Sequence, residues 1–169
     1  QYVHRKTYIA HTAPVRFVSF LEDGTLLTAG EDGKIALWNI RAVGRPVKTF
    51  YHDGVITCAA MDPANLTQLA VGDDAGQITT YDIDSGSEIW QVQGHAAAVH
   101  ALAINADFVI SGGGDAVTRI RKRSDGSAER TLHLHSAPVI GVGFTTARDA
   151  DSQRKDVVYT VSADRPAVF

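Results

Sequence analysis

The stretch "AGEDGKIALWNIR", residues 29 to 41, decides the fold. Glu31, Asp32 and Gly33 form a polar turn between two apolar runs, and the second run closes on Trp38. That is a strand, a tight turn and a second strand. Its first half, "LLTAGEDG", returns in weaker form about every forty residues, as "LAVGDDAG", "VISGGGDA" and "YTVSADRP". A histidine opens each period: His11, His52, His95 and His135. After each comes a short apolar run, "HTAPVRFVSF", "HDGVITCAAM", "HAAAVHALAI" and "HSAPVIGVGF", carrying Val15, Val55, Val99 and Val139 near its start. Before each histidine stands another β-like run, "KTYIA", "KTFY", "EIWQVQG" and "RTLHL". Each period therefore holds about four short strands, rich in Val, Ile, Thr and aromatics and separated by Gly, Asp and Ser, with no helical stripe.

Composition sets the outer bounds. The chain has 169 residues, 44% hydrophobic and 21% charged, enough apolar material for a sizeable core. A formal net charge of −3 gives no overall basic field for nucleic acid. Cys58 is the only cysteine, so no disulfide can form within the chain and a reducing compartment is expected. There is no apolar run near the roughly twenty residues a membrane helix needs, and "QYVHRKTYIA" is too polar for a signal peptide. The expected setting is intracellular, cytoplasmic or nuclear, without a membrane partner.

The forty-residue period, the four strands in each, the "GH" at Gly94 and His95, and the closing pairs Trp38-Asn39 and Tyr81-Asp82 together resemble the WD-repeat β-propeller family. The resemblance covers nearly the whole chain. It implies an all-β fold of propeller blades, each of four antiparallel strands, with about four WD-type repeats. The corresponding divisions are 1–10, the outer strand of a preceding or closing blade; 11–51, 52–94 and 95–134, three blades; and 135–169, an incomplete blade. Both ends of the sequence then fall within blades. Two architectures follow: a segment of a larger ring, or a four-bladed closure in which the first strand completes the last blade.

In this family each blade resembles a small hydrogen-bonded clasp of an opening His, a hydroxyl on the second strand, a turn Asp and a closing aromatic. Carried over, the first clasp is His11, Thr28, Asp32 and Trp38. The second is His52, Asp74 and Tyr81, with Ala70 where the hydroxyl belongs, so that this network is expected to be partial. The third is His95, Ser111 and Asp115, with Arg121 in the aromatic position. The fourth is His135, Thr160 and Asp164.

One histidine per period reads as structure rather than as a metal or catalytic set. "HLH", His133 and His135, has the alternation of a strand end, and no Cys or carboxylate cluster completes a metal site. "SGGGDAV" lacks the spacing and lysine of a phosphate loop, and there is no G-x-S-x-G. No catalytic residue, metal, cofactor or small-molecule substrate is expected, and the chain is read as a non-enzyme.

The leading function is a scaffold for protein–protein interaction within a multiprotein assembly. The resemblance implies that other proteins or peptides bind the narrower loop face, which carries Thr12, Pro14, Glu31, Lys34, Asp53, Asp73 and Arg165. Two alternatives attach to particular motifs. Arg41, after Trp38-Asn39, resembles the arginine of the box through which some WD-repeat substrate receptors dock onto the adaptor of cullin-type ubiquitin ligases. "RIRKR", with Arg119, Arg121 and Arg123, is a candidate strip for phosphate or an acidic partner in an RNA-processing ribonucleoprotein. Strand alternation sends those three arginines to one side and Lys122 to the other, and no aromatics are interleaved for base stacking, which disfavours nucleic acid.

Overall fold

The structure, a computed structural model, describes residues 7, 9–22, 24–41, 44–148 and 154–168. Most of 1–10, and Phe169, lie outside these; Thr7, Ile9 and Ala10 are not in a strand.

Alternation of apolar and polar residues gives fifteen strands among the described residues and no helix. The first sheet runs β1 (Val15–Phe20), β2 (Thr25–Gly30), β3 (Lys34–Asn39) and β4 (Lys48–Tyr51). The second holds β5 (Ile56–Asp62), β6 (Asn65–Asp73), β7 (Gln77–Asp82) and β8 (Glu88–Gln93). The third holds β9 (Val99–Ile104), β10 (Phe108–Gly113), β11 (Thr118–Lys122) and β12 (Ala128–Leu132), and the fourth β13 (Val139–Arg148), β14 (Arg154–Ser162) and β15 (Arg165–Val168). Every sheet is an antiparallel meander in chain order. The first strands β1, β5, β9 and β13 lie successively side by side. These are propeller blades, stacked face to face.

The β2–β3 turn closes on Gly33 with φ of +72°, and its counterparts are Gly76 (+86°) and Ala116 (+63°). Left-handed backbone suits glycine; Ala116 holds it at a steric cost. Matching the blades on these residues fixes the register of all three.

The core lies between blades. Leu27, Ala29, Ile35 and Leu37 of the first blade pack on Ile56, Leu69, Val71, Tyr81 and Ile83 of the second. Ala70, Ile78 and Trp90 of the second pack on Val99, Ile104 and Val109 of the third. Full burial of each such Val, Leu or Ile side chain stabilises by about 1.5–3 kcal/mol. Outer strands add a second tie: the Phe50 ring lies on Gly86 and the Trp90 ring on Gly126, each glycine in the next blade's last turn. Trp90 Nε1–H also donates to Arg123 O at 2.8 Å.

A buried ion pair crosses the second joint. Arg123 Nη1–H donates to Asp62 Oδ2 and to Asn105 O, both at 2.9 Å, and Nε–H donates to Gln68 Oε1 at 2.7 Å. Both charged side chains are only 7% exposed.

Each first strand carries a register shift at the same place, between Val15 and Phe17, Ile56 and Cys58, Val99 and Ala101, and Val139 and Gly141. The extra residue of the bulge is Arg16, Thr57, His100 or Ile140.

Candidate functional site

In the first blade the clasp is a directed chain of hydrogen bonds. Trp38 Nε1–H donates to Thr28 Oγ1 at 3.0 Å, Thr28 O–H to His11 Nε2 at 2.8 Å, and His11 Nδ1–H to Asp32 Oδ1 at 2.9 Å. Burial pushes the Asp32 carboxyl up, but His11 and the N–H groups of Thr12 and Lys34 outweigh that and hold it below the usual carboxylate range. Room for the pair comes from Gly30, where a β-carbon would stand 2.6 Å from His11 Nδ1.

The third blade repeats this with Gly113 in the place of Gly30. His95 Nδ1–H donates to Asp115 Oδ1 at 2.8 Å, and Ser111 O–H donates to Nε2 at 2.7 Å. Arg119 Nη1–H donates to Asp115 Oδ2 at 2.8 Å. Its 2.7 Å approach to His95 Nδ1 is a close contact, since that nitrogen already gives its proton to Asp115. Burial lowers the His95 pKa despite the neighbouring Asp115, so the ring is neutral at pH 7. Asp115, raised by burial, is carried well below the carboxylate range by His95, the Ala96 N–H and Arg119. Arg121 occupies the register of Trp38 but turns away, donating to Gly126 O at 3.0 Å.

In the fourth blade His135 meets Asp164 at 2.9 Å and Thr160 at 2.8 Å. The Ser136 N–H and hydroxyl donate to Asp164 Oδ2, and Ser136 N–H chiefly holds that carboxyl below its ordinary pKa.

The second blade departs from its sequence reading. His52 meets Asp73, at 3.3 Å from Nε2, and not Asp74, which lies exposed on the turn. With Gly76 matched to Gly33, Asp73 falls at the Gly30 position and Ala75 at the Asp32 position, so one acidic residue replaces a glycine and a turn aspartate. The same register puts Val71, not Ala70, opposite Thr28. The hydroxyl is present nonetheless: Tyr81 O–H donates to His52 Nδ1 at 3.0 Å. The ring is thus turned round relative to His11. Burial, with Glu88 adding to it, pushes the Tyr81 phenol up to about 12, so it remains a donor. Asp73, expected on the open face, is 1% exposed.

With the blades and their clasps described, comparison with known proteins is direct. Residues 3–39 match the family model "WD domain, G-beta repeat". Over 129 residues, 68% of this chain and 16% of the relative, the chain is 31% identical to the WD repeat-containing protein 91 homolog of Dictyostelium discoideum. It is 26% identical over 166 residues to the ribosome biogenesis protein YTM1 of Meyerozyma guilliermondii, covering 93% of this chain and 33% of that one. The structure of U3-55K superposes with a TM-score of 0.72 at 20% identity, over 91% of this chain and 50% of that chain.

The chain belongs to the WD-repeat β-propeller family.

It spans no more than a third of those two relatives and half of that solved propeller. The clasps hold the loops of one propeller end. There Thr12 N–H donates to Asp32 Oδ2, and Pro14 O accepts from Glu31 N–H. Thr12, Pro14 and Asp53 are exposed, Lys34 is half-buried and reaches Ala10 O, and the Arg165 side chain lies outside the described residues. The bulge residues, not singled out from sequence, stand at this same end: Arg16 pairs with Glu31, and His100 and Ile140 are exposed. Their only sequence signal is a fixed offset of five residues from each opening histidine.

"RIRKR" is not a continuous basic strip. Arg119 is tied to Asp115, Arg121 to Gly126 and Arg123 to Asp62, while Lys122 faces solvent on the other side. Arg41 is exposed, and its backbone N–H donates to Asn39 Oδ1. Among the described residues no three His, Cys, Asp or Glu side chains converge as metal ligands would. Burial raises the Cys58 pKa to about 12, leaving a protonated thiol at neutral pH.

Proposed function

We propose that this chain is part of a non-enzymatic scaffold that holds other proteins or peptides at the clasp end of the propeller. The observation that carries this reading is the row of bulges, which sets one side chain per blade, Arg16, Thr57, His100 and Ile140, at the same height on neighbouring first strands. A bulge re-aims a side chain and is anchored here beside a hydrogen-bonded loop, so the row is rigid. It offers a cation, an imidazole and an exposed aliphatic group, and Pro14, Val15 and Asp53 are exposed as well. Mixed chemistry on a rigid rim suits a peptide or a protein loop, with hydrogen bonds at its edge and an apolar anchor.

The named relatives include a ribosome biogenesis protein, and an intracellular assembly, nuclear or cytoplasmic, is the setting we infer. The arginine pairing favours protein contacts over direct phosphate contacts in it.

The test is affinity capture from cells with the wild-type chain and with a Arg16→Glu, His100→Glu, Ile140→Asp triple variant. Loss of the captured proteins at an unchanged melting temperature is expected. An identical set of captured proteins from both would sink the proposal. Binding of a fluorescent single-stranded RNA at physiological salt should be absent; submicromolar, salt-sensitive binding would favour the ribonucleoprotein alternative.

A further inference from the structure

Four aspartate–glycine pairs stand in the sequence: Asp23-Gly24, Asp32-Gly33, Asp53-Gly54 and Asp125-Gly126. Such a pair is chemically fragile, because the glycine nitrogen, with no side chain crowding it, attacks the aspartate Cγ more readily than a bulkier neighbour does. Asp23 lies outside the described residues.

In two of the other three pairs the fold holds both reacting groups. The Asp32 carboxylate accepts from His11 Nδ1–H at 2.9 Å, Thr12 N–H at 2.8 Å and Lys34 N–H at 3.2 Å, and Gly33 N–H donates to Gly30 O at 3.0 Å. The Asp125 carboxylate accepts from Ser127 N–H at 2.9 Å, and Gly126 N–H donates to Lys122 O at 3.0 Å. Asp53 and Gly54 are exposed, and among the described residues neither the Asp53 carboxylate nor the Gly54 N–H has a hydrogen-bond partner in the protein. Glycine is nevertheless required there. Its φ is +146°, and a β-carbon would stand 3.0 Å from Asp73 Oδ2 and 3.4 Å from His52 Nε2, against the second clasp.

We propose that Asp53 is a modification site, at which the folded chain converts aspartate to isoaspartate. The Gly54 nitrogen bonds to Cγ of the carboxyl group, itself protonated from solvent, and the amide proton and the carboxyl hydroxyl depart together as water. A cyclic succinimide is left, and water then adds back to it. Cleavage of the new Cγ–N bond restores aspartate; cleavage of the original peptide C–N bond leaves the main chain running through Cβ and Cγ, with a free α-carboxylate. No atom is gained or lost overall, and no redox partner takes part.

The extra main-chain carbon falls between two fixed points. His52 N–H donates to Gly33 O at 2.8 Å on one side, and Val55 O accepts from Asp74 N–H at 3.1 Å on the other. A lengthened link displaces one of them, and the His52 ring, bonded to Asp73 and Tyr81, stands next to the change. The isomerised chain therefore loses part of the second clasp. This chemistry is independent of what the clasp end binds.

The experiment incubates the folded 169-residue chain for weeks at neutral pH and physiological temperature, with a parallel sample in denaturant. Isoaspartate is read at each site by labelling with an isoaspartyl methyltransferase and by fragmentation mass spectrometry of the digested chain. In the folded sample Asp53 should isomerise about tenfold or more faster than Asp32 and Asp125, where hydrogen bonds must break before attack. In denaturant the three sites should age alike. Aged wild type should show a lowered melting temperature. Asp53→Glu, whose longer side chain closes a ring far more slowly, should keep its melting temperature and stay unlabelled at this position. Equal rates at the three sites in the folded sample, or a melting temperature in Asp53→Glu that falls as in wild type, would overturn the proposal.

Discussion

His52 gives its Nε2 proton to Asp73, whereas His11 uses Nδ1 for Asp32. The ring reversal follows from the acid arriving from the strand end instead of the turn. With Tyr81 supplying the hydroxyl, the second clasp is complete and more deeply buried than the first, its His and Asp side chains being 0% and 1% exposed. His52→Ala should therefore destabilise at least as much as His11→Ala, each by about 1–3 kcal/mol for orphaned polar groups. Denaturant titration checks the order; a smaller loss at His52 would restore the reading of a partial network.

His95 and Asp115 both resist protonation in the folded chain, relative to their ordinary values of about 6.5 and 3.8. In each case the folded pKa is depressed, so the unfolded state binds more protons as pH falls and stability drops on the acid side. Loss should begin below about pH 6.5 through His95 and steepen below about pH 4 through Asp115. His95→Gln should flatten the decline in melting temperature between pH 7 and 5, and a slope unchanged from wild type would remove His95 from the account.

Removing one partner of the Arg123–Asp62 pair should cost about 3–5 kcal/mol, because the other charge is left buried alone. The double replacement Arg123→Met with Asp62→Leu should recover most of this. Failure of the second change to recover stability would show that Gln68 and Asn105 O, also bonded to Arg123, matter more than the charge pair.

Ala116→Gly should stabilise the chain by about 0.5 kcal/mol, since relief of the left-handed backbone outweighs the added freedom of the unfolded chain. Gly126→Ala should do the reverse, by about 2 kcal/mol or more: its φ is +71° and a β-carbon would stand 2.7 Å from the Trp90 ring. Thermal melts of the two variants, moving in opposite directions, are the check.

The period, the four strands per repeat and the family are legible because His11, His52, His95 and His135 and their turns keep nearly constant spacing. The aromatic-to-glycine ties are equally periodic, Phe50 with Gly86 and Trp90 with Gly126, yet they join residues far apart in sequence and carry no signature alone. The second clasp is harder. "GDDAG" offers two adjacent acids, and strand alternation makes a one-residue shift exchange the faces of the sheet, so a register with Asp74 as the acid also puts Ala70 at the hydroxyl position. The match of the left-handed Gly76 to Gly33 is what distinguishes the two registers. The bulges are hidden for another reason: a single extra residue disturbs neither composition nor period, and Arg16 and His100 look like ordinary polar positions of an alternating strand.

Because Arg123 of the third blade reaches Asp62 and Gln68 of the second, stability along the chain is uneven between neighbours, and a stack whose units touch only adjacent units comes apart at its weakest junction. Under mechanical load, or in slow hydrogen exchange, these two blades should persist as a single cooperative unit after those on either side have opened, giving the arc a rigid middle from which its two arms fray.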